Sequence, residues 1–299
     1  MKVYVEVAGR QLSLSNLDKV FYPKGNFTKA QVIDYYTRVA PAILPHLKGR
    51  ALTLKRYPDG VEASYFYEKN CPKHRPDWVH TAPIWSGRKD ETLDYCVIDD
   101  LPSLIWAANL ASLELHTSLS QAKEPDRPQM MVFDLDPGPP ASIKECCQVA
   151  LTLRDLFDAL GLQAFPKTSG SKGLQVYVPL NTRVTYEDTK TFALAVAQQL
   201  EAQHRDLVIS TMKRSLREGK VFVDWSQNDR HKTTVCVYSL RAVERPMAST
   251  PVAWDEVQAY LAGKKPQLAF TSDQVAERVK KDGDLFAPVL KTKQKLPKL

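Results

Sequence analysis

The sequence predicts an α/β fold of the α+β kind, a mixed sheet with helices on one face, and three observations predict it. Through the second half of the chain, short runs with an apolar period of two alternate with longer runs near 3.6, in the order strand, helix, strand, helix, strand. Further short strand runs are interspersed and imply antiparallel pairing. The composition, 43% hydrophobic and 25% charged over 299 residues, is that of a globular chain with a substantial core, enough for one large domain or two small ones.

The elements follow in order. Residues 1–22 read as strand, turn and a short segment ending at Val20-Phe21-Tyr22-Pro23. A helix begins at Thr28, with Asn26 or Thr28 as its cap. Its apolar face is Val32, Ile33, Tyr36, Val39 and Ala40, and Pro41 interrupts the pattern. Leu52 to Tyr57 alternates as a strand and stops at the turn Pro58-Asp59-Gly60. Residues 71–90 read as loop and short strand, and Leu104 to Leu115 as a helix. Met130 to Asp136 is a strand cut off by Pro137-Gly138-Pro139-Pro140. Ile143 to Leu160 is a helix stopped by Gly161, Leu174 to Val178 a strand, and Tyr186 to Gln203 a helix. Val208-Ile209, Val221 to Asp224 and Val235 to Tyr238 complete the strands.

Charge and cysteines bound the function. The net charge of +7 and pI near 9.0 favour a polyanionic partner. Part of the excess is terminal, at Lys291, Lys293, Lys295 and Lys298, and reads as a mobile, solubilising tail. No apolar run approaches the roughly 20 residues of a membrane helix, and the alternating N-terminus lacks a signal-peptide core. A cytoplasmic protein with no membrane partner is the expectation. The cysteines, Cys71, Cys96, Cys146, Cys147 and Cys236, are odd in number and scattered, with neither a disulfide framework nor a zinc pattern. Cys71 reads as a loop cysteine near His74, and reduced thiols fit the cytoplasm.

The chemistry concentrates in carboxylates. In Val132-Phe133-Asp134-Leu135-Asp136-Pro137 a strand puts Phe133 and Leu135 on one face and Asp134 and Asp136 on the other. Two adjacent carboxylates repel unless a cation sits between them, and Mg²⁺ or Mn²⁺ suits their hard oxygens. Alone, the pair reads rather as a solvated strand end running into a turn. Asp224, in the apolar run Val221-Phe222-Val223-Asp224-Trp225, supplies a third carboxylate for a two-metal phosphoryl-transfer site. Between these strands lies Thr168-Ser169-Gly170-Ser171-Lys172-Gly173, a glycine turn with hydroxyl donors and an ammonium that suits a triphosphate. Its spacing is not that of a Walker loop, and a strand follows it.

Together these elements resemble the polymerase domain of bacterial LigD and its stand-alone relatives, within the archaeo-eukaryotic primase superfamily. The resemblance rests on nine pieces in order: Asp18-Lys19-Val20-Phe21-Tyr22-Pro23, Thr28-Lys29-Ala30, Leu54-Lys55-Arg56-Tyr57-Pro58, Phe66-Tyr67-Glu68-Lys69-Asn70, Leu113-Glu114-Leu115-His116, Phe133-Asp134-Leu135-Asp136-Pro137, Thr168-Ser169-Gly170-Ser171-Lys172-Gly173-Leu174, Val223-Asp224-Trp225-Ser226-Gln227-Asn228 and Tyr238-Ser239-Leu240-Arg241-Ala242.

The resemblance implies a primase-like catalytic core with an RRM-like mixed sheet and an N-terminal α/β module. It implies one catalytic unit over 1–299, with the module at 1–110, the core at 111–286 and the basic tail at 287–299. It implies template-directed nucleotidyl transfer that fills gaps and ends in double-strand break repair by non-homologous end joining. Asp134, Asp136 and Asp224 would ligate two Mn²⁺ or Mg²⁺ ions. Ser169, Lys172, Arg241 and His116 would meet the NTP or dNTP. Lys19 and Lys29 would hold a downstream DNA 5′-phosphate, Phe66 and Tyr67 would stack on the template, and Arg217 would order the site on template binding. For one of Phe66 and Tyr67 the competing reading is strand core, because neighbours on a strand face opposite ways.

Ribonucleotide preference, Mn²⁺ activation and association with Ku and a DNA ligase are implied with the rest. Two departures stand out. Gln175 occupies a position where the family often has His, and Thr117-Ser118 replaces an aromatic. The segment is expected to be either a stand-alone polymerase or one domain of a longer protein. The competing readings are a de novo primase, against which Lys19 and Lys29 argue, and a non-catalytic DNA-end-binding module, against which the intact carboxylate trio argues.

Overall fold

Thr28 opens the first long helix by a capping box: its hydroxyl accepts from the Gln31 N–H, and the Gln31 side chain bonds back to the Thr28 N–H. In this computed structural model, which describes residues 2–86 and 90–297, the chain packs as two units. The first comprises residues 1–123, 233–249 and 270–284; the second comprises 124–232, 250–269 and 285–299. Met1, residues 87–89 of the expected loop and Lys298 of the expected tail lie outside the described residues.

The first unit starts with the hairpin β1 (Lys2–Val7) and β2 (Arg10–Ser15), then the short pair β3 (Val20–Tyr22) and β4 (Phe27–Thr28). Helix α1 (Lys29–Leu47) runs through Pro41, where the sequence pattern predicted an interruption, and through Pro45. Both prolines are exposed, while Ala42, Ile43, His46 and Leu47 between and beyond them are buried. Burial of that face offsets the lost backbone hydrogen bonds. Strands β5 (Leu52–Arg56), β6 (Phe66–Glu68), β7 (His80–Ser86) and β8 (Glu91–Val97) follow, then helix α2 (Leu101–Asn109) and strand β9 (Ser112–Thr117).

The helix expected over Leu104 to Leu115 is therefore two elements. Asp100 caps α2, the chain reverses at Ala111 with φ +62°, and Ser112 onward is strand. Ser112-Leu113-Glu114-Leu115-His116 alternates polar and apolar as a strand does, a period that reading the stretch as a continuation of the apolar run from Leu104 passed over.

The second unit is built on a five-stranded sheet in the order β11-β12-β10-β14-β13, from β10 (Met130–Pro137), β11 (Phe165–Thr168), β12 (Leu174–Pro179), β13 (Val208–Ile209) and β14 (Val221–Asp224). Only β13 and β14 run parallel. Helices α3 (Ile143–Ala159) and α4 (Tyr186–Gln203) pack on this sheet. Phe133 of β10 meets Phe157 of α3 with ring centroids 5.3 Å apart. That contact fixes the apolar face of β10 against α3 and turns Asp134 and Asp136 the other way.

The chain then returns to the first unit. There β15 (Thr234–Val235) joins β9, completing a sheet in the order β15-β9-β5-β8-β7, with β6 paired to β5. The hairpin β16 (Leu240–Ala242) and β17 (Pro246–Ala248) follows. Helix α5 (Trp254–Leu261) belongs to the second unit, α6 (Ser272–Asp282) to the first and α7 (Pro288–Lys291) to the second.

Two expectations are corrected. Cys71 and Cys96 are joined by a disulfide across 25 residues, so Cys71 is a buried crosslink and not a reduced loop cysteine. The bond ties the loop after β6 to β8, and a pairing set by a sheet has no local sequence signal. Cys146, Cys147 and Cys236 are free and buried. The tail is also held as far as Gln294: Asn181 donates to the Thr292 carbonyl, and the Gln294 amide donates to the carbonyls of Gln163 and Pro179. Among the described residues no helix is long and apolar enough to cross a membrane.

Candidate active site

Four polar side chains line up across four strands of the second unit. Lys167 on β11 stands opposite Gln175 on β12, Gln175 opposite Asp134 on β10, and Asp134 opposite Asp224 on β14. Directly opposed residues share a face of the sheet, so the row is continuous. Asp136, two residues beyond Asp134, lies on the same face opposite Phe222. The sequence reading of three carboxylates on neighbouring strands is thus realised in register. Lys167 and Gln175 are the members that periodicity did not single out, because every residue of β12 is buried and a polar one there breaks no visible pattern.

The row is electrostatically strained. Burial, and then repulsion from Asp136, push the Asp134 carboxyl up to about 7 from its ordinary 3.8. A hydrogen bond from the Gln175 amide and the charge of Lys167 pull in the opposite direction, while Asp224 adds repulsion. Lys167 is fully buried, with its ammonium 5.5 Å from the Tyr177 ring centroid. Asp224 is held more firmly: its Oδ1 accepts the Ser226 N–H at 3.0 Å, and its Oδ2 accepts from the Gln227 amide at 2.9 Å. This oxygen-only donor set with excess negative charge fits a hard divalent cation. Among the described residues no three His, Cys, Asp or Glu side chains converge as a ready-made cage. A cation held through one or two carboxylates, with water and phosphate as its other ligands, needs no such cage.

The glycine turn joins β11 to β12. Ser169 is buried, and its hydroxyl accepts N–H groups of Ser171 and Gly173 at 3.2 and 3.1 Å. Ser169 therefore shapes the loop, while Lys172 is exposed. Gly170 sits at φ +72°, and a Cβ on Gly173 would meet the Leu135 carbonyl oxygen at 2.2 Å, so the loop lies directly on β10. Arg217 lies with its guanidinium 3.6 Å from the Phe222 ring centroid and donates to the Met212 carbonyl.

The first unit carries the other expected residues. His116 lies on β9, bonded through Nε2 to Glu114 Oε2 at 2.9 Å. Glu114 is buried and collects cations: Arg241 Nε lies 3.4 Å and Lys55 Nζ 3.4 Å from its oxygens. Burial alone would raise its carboxyl, but the His116 hydrogen bond, Arg241 and Lys55 hold it well below the usual carboxylate range. Burial pushes His116 below its ordinary value, and Glu114 opposes that shift. Glu114 and Lys55 were not singled out from sequence, although Glu114 shares the face of His116 at a spacing of two.

Lys19 pairs with Asp59 at 2.5 Å, and Lys29 donates to the Ser15 carbonyl at 2.7 Å. Burial, and then the charges of Lys19 and Arg56, lower the Lys29 ammonium from 10.5 to about 8. The first backbone N–H groups of α1 are occupied, those of Lys29 and Ala30 by the carbonyls of Lys19 and Leu17. An anion here would meet side-chain ammonium groups and not open helix N–H groups. Phe66 and Tyr67 are both exposed, at 44% and 55%, so neither is core; β6 lies off the main path of its sheet and leaves both rings accessible. Arg56 lies over Phe66, and Lys55 over Tyr67.

The chain as a whole is similar to known proteins. The family described as "LigD, primase-polymerase domain" matches residues 28–286. The multifunctional non-homologous end joining protein LigD of Mycolicibacterium smegmatis is 40% identical over 282 residues, covering 93% of this chain and 36% of that protein. The bifunctional non-homologous end joining protein LigD of Bacillus subtilis is 34% identical over 288 residues, covering 96% of this chain and 45% of that protein. The chain thus spans less than half the length of these relatives. A solved structure described as the polymerase domain from Mycobacterium tuberculosis ligase D in complex with DNA superposes with a TM-score of 0.87 at 38% identity, covering 95% of this chain and 99% of that one. With the carboxylate row in place on a mixed sheet, the chain belongs to the LigD primase-polymerase domain family, a family of nucleotidyltransferases.

Proposed function

We propose that this protein is a template-directed polymerase that fills gaps and ends during double-strand break repair by non-homologous end joining. The observation that carries the reading is the register of Asp134 against Asp224, with Asp136 on the same face. These three carboxylates would hold two Mn²⁺ or Mg²⁺ ions, which supply activation of a primer 3′-hydroxyl and neutralisation of the leaving pyrophosphate. Gln175 orients the Asp134 carboxylate, and the Ser226 and Gln227 donors orient that of Asp224. Ser169 holds the loop that presents Lys172 to a triphosphate, and Arg241 and His116 are assigned to the same NTP or dNTP. Arg217 is assigned to ordering the site on template binding, and Phe66 and Tyr67 to stacking on the template.

Lys19 and Lys29 are assigned to a downstream DNA 5′-phosphate; their mutual charge effect supports a shared anion. The chain is read as one catalytic unit, with a module at 1–110, a core at 111–286 and a tail at 287–299. Ku and a DNA ligase are the proposed partners, the cytoplasm the proposed location, and ribonucleotides the preferred substrate. The deciding experiment is primer extension on a gapped duplex, comparing NTP with dNTP and Mg²⁺ with Mn²⁺. Template-dependent extension only when a divalent ion is present is expected, and no extension with either ion would overturn the reading.

A further inference from the structure

Ser15, whose carbonyl holds the Lys29 ammonium, also lines a cavity of about 390 Å³ in the first unit. Ser13 and Ser15 of β2, Trp106 and Asn109 of α2, and His74 and Trp78 of the intervening loop contribute to its walls. The walls are fixed in place. Asn109 spends both ends of its amide on β2, accepting the Ser15 N–H at 3.2 Å and donating to the Ser13 carbonyl at 3.0 Å. Arg10 lies 5.0 Å from the Trp78 ring centroid and bonds Asp100, the residue that caps α2, at 2.9 Å. The cavity is thus preformed, at the small end of the roughly 300–1,000 Å³ range of small-molecule sites.

Its chemistry is specific. Two indoles give flat apolar surface, while serine hydroxyls, an imidazole and an amide give hydrogen-bonding edges. No carboxylate is among the lining residues, and Lys2 adds a positive charge. A planar heterocycle attached to an anion satisfies all of these at once. Ser15 is where the two halves meet: its N–H secures the aromatic cavity and its carbonyl secures the lysine.

We propose that this cavity receives the 5′-terminal nucleobase of the downstream strand, turned out of the duplex and stacked against indole, while Lys19 and Lys29 hold its 5′-phosphate. The inference rests on the 5′-phosphate reading of that lysine pair. Stacking on indole is tolerant of base identity, so the site reads the presence of a terminal nucleotide and not its sequence. The interaction compensates for the stacking that the terminal base gives up at the gap.

The test uses the whole chain and gapped duplexes that differ only at the downstream 5′ terminus. A 5′-phosphorylated terminal 5-iododeoxyuridine is irradiated in the complex and the crosslinked peptide is mapped by mass spectrometry. Crosslinks at Trp78, His74 or Trp106 are expected; crosslinks confined to other residues would overturn the inference. In parallel, a 5′-phosphorylated terminal abasic residue should bind about 5- to 150-fold more weakly than the intact nucleotide, the range of one stacked base. Trp78→Ala should abolish that difference and Trp78→Phe should restore most of it, with circular dichroism confirming that each variant folds. If binding depends on the 5′-phosphate but not on the terminal base, the cavity inference fails and the lysine assignment stands. If binding ignores the phosphate as well, the lysine assignment fails and the cavity inference with it.

Discussion

Asp134 and Gln175 face each other directly across β10 and β12, and the Gln175 amide donates a hydrogen bond to the Asp134 carboxylate. The amide supplies a donor that never changes charge. Replacing it with leucine removes a hydrogen bond to a charged group, worth about 1.5–3 kcal/mol. Gln175→Leu should therefore raise the Mn²⁺ concentration for half-maximal extension by about 10-fold or more. A metal titration of initial rates checks this, and an unchanged midpoint would count against the positioning role.

Asp134→Asn, Asp136→Asn and Asp224→Asn should each lower extension by at least about a hundredfold, the scale on which single preorganised electrostatic groups act, while binding of duplex DNA persists. In metal-free buffer Asp134→Asn should also melt higher than the wild type, because it removes repulsion from Asp136 and Asp224. Calorimetry with a chelator present reads the second effect, and a lower melting temperature would show that the ionised carboxylate is stabilising.

Lys172→Ala and Arg241→Ala should separate two kinds of loss. Both should raise the KM for nucleotide by about 10-fold or more, since each charged hydrogen bond to phosphate is worth about 1.5–3 kcal/mol. Lys172 is exposed, so its removal should leave the melting temperature unchanged. Arg241 lies against the buried Glu114, and its removal should also lower thermal stability. Steady-state kinetics beside thermal melts check both, and an equal loss of stability in the two variants would contradict the difference in their surroundings.

The 5′-phosphate preference should depend on pH through Lys29. Its ammonium titrates at about 8 in the folded protein instead of 10.5. Between those values the unfolded chain binds more protons, so this group makes folding more favourable as pH rises through that window. The charge needed for phosphate is lost over the same window. The ratio of affinities for 5′-phosphate and 5′-hydroxyl duplexes should therefore shrink from pH 7 to pH 9.5, and it should shrink with salt at fixed pH. Lys19→Ala with Lys29→Ala should remove the ratio altogether. Fluorescence anisotropy on the two duplexes measures it, and a ratio that is constant with pH would exclude Lys29 as the contact.

Much of the second unit was legible in its sequence because its elements obey one rule each. Helix α4 falls at Tyr186–Gln203 as periodicity placed it, and β13 and β14 carry the expected limits. The carboxylates were legible because an alternating strand makes Asp134 and Asp136 neighbours in space. Their juxtaposition with Lys167 is a matter of register between strands, which no local pattern encodes. In the first unit, β9 alternates as a strand but follows α2 so closely that the two were read as one helix, and Ala111 gave no glycine to mark the reversal. The prolines of α1 misled because they lie on its solvent side, where a missing N–H is cheap. The Cys71–Cys96 bond and the cation cluster on Glu114 both depend on strands brought together from distant parts of the chain.

Gly138 follows the strand that carries Asp136, and a Cβ there would lie 1.9 Å from the Arg217 carbonyl oxygen. Its N–H bonds the Lys220 carbonyl, and its own carbonyl accepts the Gly219 N–H. The exit of β10 and the segment bearing Arg217 are thus seamed together like two panels of cloth, with no slack for a side chain between them. Force applied to one panel is felt in the other. If Arg217 meets the template as proposed, a strand that shifts it would pull on the backbone two residues from Asp136 and so alter the spacing of the carboxylates. Any residue larger than glycine at position 138 would open the seam and leave the two movements independent.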